Sequence, residues 1–423
     1  MDICNLNKVM KIISLVLLTF FSMQFVSAAA MAAWGDIPIL TPETRIWDSN
    51  LEQWGNTENG IALPPSQKPY IVDIEPINNQ VIMIARSAKN LYARTWSEAG
   101  SWTDPVYIGG PSGQLKGKSQ ALESFGSNVM AVYSDNTNAP KYRIWDGLNW
   151  GAEASTLPLA NIPYWMVLKK NPNSNEMVLV TTDVSFNVYA QIWDGDSWRD
   201  QILLETRTWS GLRGSIDVEY DSSGRAVVVW VDMDTKTMQY RIWDGVSWSV
   251  EGSAVDTASG DAKGPVWVEL AADANSNNMV LVSQSSNKNI RSQVWDGSNW
   301  ANTELLGVGN DLWFKNIDAA YDSSGNAIVV WNANVPETVT KYNIWNGVFW
   351  EADLNTADMT GKYIPRWLEL EASPFNDEMI LMQTSSNSKA YAQVWDGDSW
   401  GDGIELESSY AWRDGAAVDV EYF

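Results

Sequence analysis

The sequence contains no histidine, and its single cysteine is Cys4. Without imidazole there is no Ser-His-Asp or Cys-His catalytic arrangement and no histidine-ligated zinc or iron site. The chain is also poor in basic residues, with 28 Lys and Arg against 52 Asp and Glu, a formal charge of −24 and a pI of about 4.3. So acidic a surface repels nucleic acid and anionic lipid, and we expect neither as a partner.

Only one segment is apolar over a long run, and it lies at the N-terminus. Lys8 and Lys11 precede the apolar stretch 12–26, and small residues follow. This order predicts a secretory signal over residues 1–30, which contains Cys4, so that the mature chain would have no disulfide and no thiol chemistry. Neither this stretch nor any later one is long enough for a comfortable membrane span. We expect a protein secreted to the exterior, the cell surface or a periplasm.

Tryptophan is the residue in excess, with 25 copies, and a Trp-Asp-Gly-x-x-Trp hairpin or a looser version of it recurs about every fifty residues. Each unit has four short segments of strand-like pattern separated by turn residues, as between Gly214 and Trp248. Four strands per repeat predict one blade of a β-propeller. The leading residues of the hairpins are Trp47, Trp96, Trp145, Trp193, Trp243, Trp295, Trp345 and Trp395.

The two ends of the chain carry complementary parts of one repeat. Val418–Phe423 matches the first strand of an internal blade. Trp34 lies 13 residues before Trp47, which is the spacing from the end of a second strand to the end of a third. We therefore predict an all-β fold, a single eight-bladed propeller of four-stranded antiparallel blades over residues 31–423. One blade is shared by residues 31–62 and 415–423, which closes the ring and removes its free edges.

Most of the repeated residues are interpreted as structural. Trp193 and Trp198 flank a tight turn that Asp194 begins and Gly195 permits, and their rings can cover a neighbouring blade. A second set of tryptophans precedes a methionine by 12 residues in three repeats, and this fixed register also indicates packing. The members of that second set are Trp165, Trp267 and Trp367.

The connections from the last strand of one blade to the first strand of the next, here called the D-to-A connections, carry tryptophans at unequal offsets. Unequal offsets are typical of surface loops, and an aromatic ring beside a cation suits a sugar or an acidic sugar. Packing between blades with a snorkelling cation is the alternative. The candidate ligand-binding residues are Trp209, Arg213, Trp313, Lys315, Trp412 and Arg413.

The first strands of the repeats carry acids, and in a propeller these strands line the central channel. Several converging carboxylates suit a hard cation such as calcium, whereas the alternative is solvated acids around a wet channel. No calcium-loop motif is present. We expect no cofactor unless it is calcium, for which the candidate ligands are Asp217, Asp318 and Asp419.

The Asp-Gly-x-x-Trp turn, as in Asp194–Trp198, is similar to the Asp-box of sialidases, although it is one residue shorter and Trp193 replaces the leading serine. The repeat as a whole resembles secreted bacterial or archaeal propellers of the sialidase-like and lectin-like kind. A sialidase also needs an arginine triad, a Tyr/Glu pair and an acid on one face. Arg143 and Arg241 instead share one repeated strand position, which indicates a scaffold role.

Three functions stay open on these observations. The favoured one is a non-catalytic binding propeller that presents its D-to-A connections to a glycan or an extracellular protein. The second is a structural component of a cell surface or matrix, which the acidic and repetitive chain fits. The third is a sialidase-like glycoside hydrolase or lyase using a carboxylate pair; nearly equivalent blades argue against a single catalytic pocket.

Overall fold

The computed structural model describes residues 29–423 apart from 36–41, 57, 60–68, 88, 98–101, 111–117, 209–213, 233, 255–263, 335–338, 352–353, 357–362 and 407–417. Most of the segment predicted as a secretory signal therefore lies outside the described residues. Its last two positions, Ala29 and Ala30, begin the first strand. In the part of the chain that the structure describes, no helix has the length and apolar character that a membrane crossing requires.

The described strands form eight antiparallel sheets, each with four strands in succession, and the first strand of each sheet contacts the first strands of its two neighbours. This confirms the predicted eight-bladed propeller. The strands are, in blade 1, β1 (Ala29–Gly35), β2 (Pro42–Asp48), β3 (Gln53–Trp54), β4 (Glu58–Asn59) and β33 (Val418–Tyr422); in blade 2, β5 (Pro69–Ile77), β6 (Gln80–Ser87), β7 (Asn90–Ser97) and β8 (Val106–Gly109); in blade 3, β9 (Gln120–Phe125), β10 (Asn128–Tyr133), β11 (Lys141–Trp145) and β12 (Ala154–Ser155); in blade 4, β13 (Pro163–Lys170), β14 (Met177–Asp183), β15 (Val188–Trp193) and β16 (Trp198–Glu205); in blade 5, β17 (Ile216–Tyr220), β18 (Ala226–Val231), β19 (Met238–Trp243) and β20 (Gly252–Ala254); in blade 6, β21 (Pro265–Ala272), β22 (Met279–Ser285), β23 (Asn289–Trp295) and β24 (Trp300–Val308); in blade 7, β25 (Ile317–Tyr321), β26 (Ala327–Asn332), β27 (Thr340–Trp345) and β28 (Leu354–Asn355); and in blade 8, β29 (Pro365–Ala372), β30 (Met379–Ser385), β31 (Ala390–Trp395) and β32 (Ile404–Glu405).

The sequence of each strand reflects what its two faces meet. In β17, Ile216 and Val218 pack into the core between blades, whereas Asp217 and Glu219 line the channel. This alternation follows from the two-residue period of a strand. The second strand, such as β18, is buried along its whole length, and its near-continuous apolar sequence follows from that burial.

The ring is closed by the two chain ends. Strand β1 lies between β2 and β33, so that Met31 is opposite both Ile46 and Glu421. This is the shared blade that the repeat spacing predicts. Its junction with blade 8 is fastened at Glu378, which directly precedes β30, the second strand of that blade. The Glu378 Oε1 atom accepts hydrogen bonds from Trp47 Nε1 at 3.0 Å, Ser49 Oγ at 2.7 Å and Tyr422 Oη at 2.9 Å.

The Trp-Asp-Gly-x-x-Trp segments form the predicted tight turns between third and fourth strands. Asp194 Oδ1 accepts the backbone N–H groups of Asp196 and Ser197 at 3.0 and 2.8 Å, and these bonds hold the pKa of Asp194 below its usual range. Gly195 adopts a φ of 101°, which a residue with a side chain would adopt only with strain. Trp193 and Trp198 are both buried with ring centroids 5.6 Å apart, which confirms their packing role.

We predict that Glu378→Ala lowers the free energy of unfolding by about 3 kcal/mol, because the buried donors of Trp47 and Tyr422 and the half-buried hydroxyl of Ser49 lose their carboxylate acceptor. Chemical denaturation followed by tryptophan fluorescence measures this. The matched control is Glu176→Ala in blade 4, where the corresponding carboxylate accepts the Tyr220 hydroxyl at 3.2 Å. A control variant as destabilised as Glu378→Ala would contradict a special role for the closing junction.

Candidate functional site

The first strands of all eight blades surround a central cavity of about 480 Å³. Its lining includes twelve carboxylate side chains and only three lysines. Because these carboxylates are largely buried, the channel cannot hold all of them ionised without a large electrostatic cost. The arrangement of these charges therefore decides what the channel is able to bind.

The carboxylates form two layers along the channel, because side chains two residues apart lie on the same face of a strand. The layer nearer the D-to-A connections contains Asp73, Asp217, Glu269, Asp318, Glu369 and Asp419. The second layer, two residues further along each strand, contains Glu75, Glu123, Glu219, Glu371 and Glu421.

The three candidate calcium ligands, Asp217, Asp318 and Asp419, belong to three different blades that alternate around the ring. Each uses its Oδ2 atom to accept a backbone N–H from the first strand of the next blade, so each fastens two blades together. Among the described residues no three acidic side chains are placed so as to hold a metal ion. The nitrogen-to-oxygen distances are 2.7 Å for Leu270 and Asp217, 2.8 Å for Leu370 and Asp318, and 2.8 Å for Ile74 and Asp419.

Lys315 is placed in the channel, although the sequence predicts it beside an exposed tryptophan as a ligand-binding cation. Its Nζ atom lies 3.0 Å from Asp318 Oδ2, 2.8 Å from Glu369 Oε2 and 3.5 Å from Glu269 Oε2. The side chain is only 10% exposed. Lys315 is therefore an internal counter-ion. Its three carboxylate partners belong to blades 6, 7 and 8, so their attraction to one ammonium group joins these three blades.

Three other lysines, which sequence reasoning did not single out, also neutralise channel carboxylates. They stand at or next to first strands. Lys169 holds the position that Glu219 holds in β17, and this exchange of charge within the repeat was a signal that could have found it. Lys118 instead holds the position of Lys315, since each of their carbonyl groups accepts a backbone N–H from the first strand of the next blade. The nitrogen-to-oxygen distances are 3.5 Å for Lys118 and Asp73, 2.6 Å for Lys169 and Glu219, and 3.3 Å for Lys170 and Glu123.

Burial in this acidic channel shifts the ionisation of its carboxyl groups. Removal from water, with repulsion from neighbouring acids, raises the pKa of Asp217 to about 7 and those of Glu123 and Glu371 to about 8. Glu369 behaves differently: burial raises its pKa, but Lys315 and Lys118 together with a hydrogen bond from Trp367 outweigh burial, so that its pKa is lowered. Near neutral pH, protons bound to these carboxyl groups therefore remove part of the negative charge that the lysines do not balance.

The tryptophans in fixed register form an edge-to-face chain near the channel. The ring centroids of Trp165 and Trp267 are 5.7 Å apart at 71°, and those of Trp267 and Trp367 are 5.8 Å apart at 88°. Gly214 lies against them so closely that a Cβ atom there would approach the Trp267 ring to 2.8 Å. All three indoles are buried, which confirms the packing interpretation.

Of the three tryptophans predicted on D-to-A connections, the structure describes Trp313, which is 74% exposed. Its loop is well fastened: Asp311 Oδ1 accepts the Trp313 N–H at 2.9 Å, and Trp267 Nε1 donates to the Leu312 carbonyl at 3.1 Å. Gln284 Nε2 donates to the Asp311 carbonyl at 2.8 Å. An exposed indole on an ordered loop is a rigid apolar platform. Trp209, Arg213, Trp412 and Arg413 lie outside the described residues.

A cation that sequence reasoning missed packs against the same connection from β29 of blade 8. The Arg366 guanidinium carbon is 4.5 Å from the ring centroid of Phe314, the residue after Trp313. Phe314 is buried and Arg366 is half-buried. Arg366 directly precedes the repeated Trp367, at a position where the corresponding residues of blades 4 and 6 are Tyr164 and Val266. Because the arginine is not repeated at this position in blades 4 and 6, the repeat pattern could not identify it.

No protein-family model and no curated protein matches this sequence. Among solved structures, the BP39L lectin from Burkholderia pseudomallei is similar with a TM-score of 0.58 and 11% identity, over 80% of this chain and 100% of that one. The AztD protein from Citrobacter koseri is similar with a TM-score of 0.52 and 10% identity, over 94% and 98% of the two chains. At these identities the likeness shows the propeller fold alone, with a lectin propeller among its neighbours.

We predict that stability falls as the pH rises from about 5 to about 8. A carboxyl whose pKa is raised to about 8 on folding keeps its proton in the folded state, while the unfolded chain has already released it. Glu123→Gln removes one such group, which flattens the slope of unfolding free energy by up to about 1.4 kcal/mol per pH unit.

Denaturant titrations at about pH 5 and about pH 8.5 measure this slope. Glu304→Gln, which removes an exposed carboxylate on β24, is the matched control. A Glu123→Gln effect that is the same at both pH values would show that Glu123 does not hold a proton in the folded protein.

Proposed function

We propose that this chain is a secreted, non-catalytic binding propeller that recognises glycans through its D-to-A face. The single observation that carries the proposal is the indole of Trp313, which is 74% exposed on a loop fixed by hydrogen bonds. An exposed aromatic ring on a fixed loop stacks on the apolar face of a sugar without the cost of ordering the loop. The BP39L neighbour is itself a lectin, which supports this choice among binding partners.

The charge distribution also supports binding in preference to catalysis. In the layer of channel carboxylates nearer the D-to-A connections, the side chains accept hydrogen bonds from backbone N–H groups or pair with lysines, as Asp217 and Asp318 do. Groups committed to holding the blades together are poor candidates for a general acid and base, which must exchange protons with a substrate. Arg366 beside Phe314 adds a cation on the proposed binding face, suited to a carboxylated sugar.

We predict that Trp313→Ala weakens glycan binding by about tenfold or more, because the stacking surface is removed while its loop is held by backbone contacts. A glycan array identifies ligands of the wild-type protein, and titration calorimetry with the best ligand compares the variants.

Phe349→Ala is the matched control, since Phe349 is an exposed aromatic residue, 59% accessible, on a turn at the other end of the blades. Its removal leaves binding unchanged. Failure of the wild-type protein to bind any glycan, or equal loss in both variants, would contradict the proposal.

A further inference from the structure

At three of the four junctions where an odd-numbered blade meets the next even-numbered one, an aspartate bridges two backbone N–H groups. In blade 5, Asp217 Oδ1 accepts the N–H of Val218 at 2.9 Å, and its Oδ2 atom accepts that of Leu270 in blade 6 at 2.7 Å. Asp318 in blade 7 and Asp419 in blade 1 accept the corresponding pairs of N–H groups. The inner edges of two neighbouring first strands thus form a cradle for one carboxylate.

The fourth junction, between blades 3 and 4, repeats this backbone arrangement without the carboxylate. Ala121 holds in β9 the register position that Asp217 holds in β17. The N–H groups of Leu122 and Leu168, which correspond to the two donors in blades 5 and 6, therefore face a methyl group. Both leucines are buried and line the central cavity. An N–H group kept from water without an acceptor costs free energy, which an oxygen atom of a ligand would recover.

Lys118 places a cation beside these donors. It holds in blade 3 the position of Lys315 in blade 7, which contacts three carboxylates. At the positions that correspond to those three partners, blade 3 has Ala121, blade 4 has Val167, and only blade 2 has an acid, Asp73. The Lys118 Nζ atom lies 3.5 Å from Asp73 Oδ1. The two shorter side chains leave to the cavity the space that two carboxylates fill beside Lys315.

The charges around this junction favour an anion, although the channel as a whole is acidic. Strand β13 contains no acid, unlike the corresponding strands β5, β21 and β29 of the other even-numbered blades. Among the described residues, three of the four lysines that pair with channel carboxylates stand in blades 3 and 4, namely Lys118, Lys169 and Lys170.

We propose that this junction binds an exogenous carboxylate group with a short aliphatic stem, of which acetate is the simplest example. One carboxylate oxygen accepts the N–H of Leu122 and the other accepts that of Leu168, as the aspartates do at the other three junctions. The Lys118 ammonium supplies the opposing charge, and the methyl groups of Ala121 and Val167 lie against the stem. The Lys118 side chain is 33% exposed, so the ligand reaches it through the channel. The site is separate from the glycan face, and either proposal can fail without the other.

Titration calorimetry with acetate and its neutral counterpart acetamide tests the site at about pH 6, where acetate is ionised. Acetate is expected to bind at least about tenfold more tightly than acetamide. Ala121→Asp, which fills the cradle with a tethered carboxylate, is expected to weaken acetate binding at least about tenfold. Ala301→Asp is the matched control, since it adds the same charge at an exposed position of the outer strand β24 and leaves binding unchanged. Equal binding of acetate and acetamide, or equal acetate binding by the two variants, overturns the proposal.

A second pair of variants keeps the test decisive where Ala121→Asp fails to fold. Lys118→Met is expected to weaken acetate binding at least about tenfold, because the charged partner of the carboxylate is removed. Lys389→Met, which removes a lysine paired with Glu405 on the outer strand β32, leaves binding unchanged. Equal effects of these two variants overturn the proposal. Tighter binding of acetate than of N-acetylglycine supports it with a free small acid as the source, and the reverse supports it with the carboxyl terminus of a peptide.

Discussion

The fold depends on the convergence of eight first strands on one axis, which forces their channel-facing polar side chains into a common space. A strand buried on one side by its blade must present alternate residues to the channel. Because these residues are mostly acidic, the channel is stable only where carboxylates find donors. The chain supplies those donors as backbone N–H groups of the next blade and as lysines such as Lys315. The interactions that satisfy the carboxylates also join the blades.

The sequence predicted the architecture well because the repeat makes every strand signal appear several times. The spacing of the hairpin tryptophans defined the blades, and the match between the two ends placed β1 beside β33, as the structure has it. The turn role of Asp194 was predictable because it is local, with both hydrogen bonds closing within three residues.

The chemistry of the channel was less predictable because it depends on contacts between blades. Asp217 was correctly expected on the channel wall, but nothing in the sequence shows that its Oδ2 atom accepts the Leu270 N–H. Lys315 follows Trp313 by two residues and was taken for its neighbour on the surface, whereas three carboxylates bring its ammonium group into the channel.

The central channel and the D-to-A face both require that the chain ends close the ring, and cysteine cross-linking tests this closure most directly. Ala32 is opposite Val420 in the shared blade, and the only native cysteine is Cys4. A variant carrying Ala32→Cys and Val420→Cys is predicted to form a disulfide on mild oxidation, because directly paired strand positions lie within disulfide range. A variant carrying Ala32→Cys and Val218→Cys, which uses the corresponding position of blade 5, is predicted to keep both thiols free. No disulfide in the first variant, or equal cross-linking in both, would contradict the closed ring.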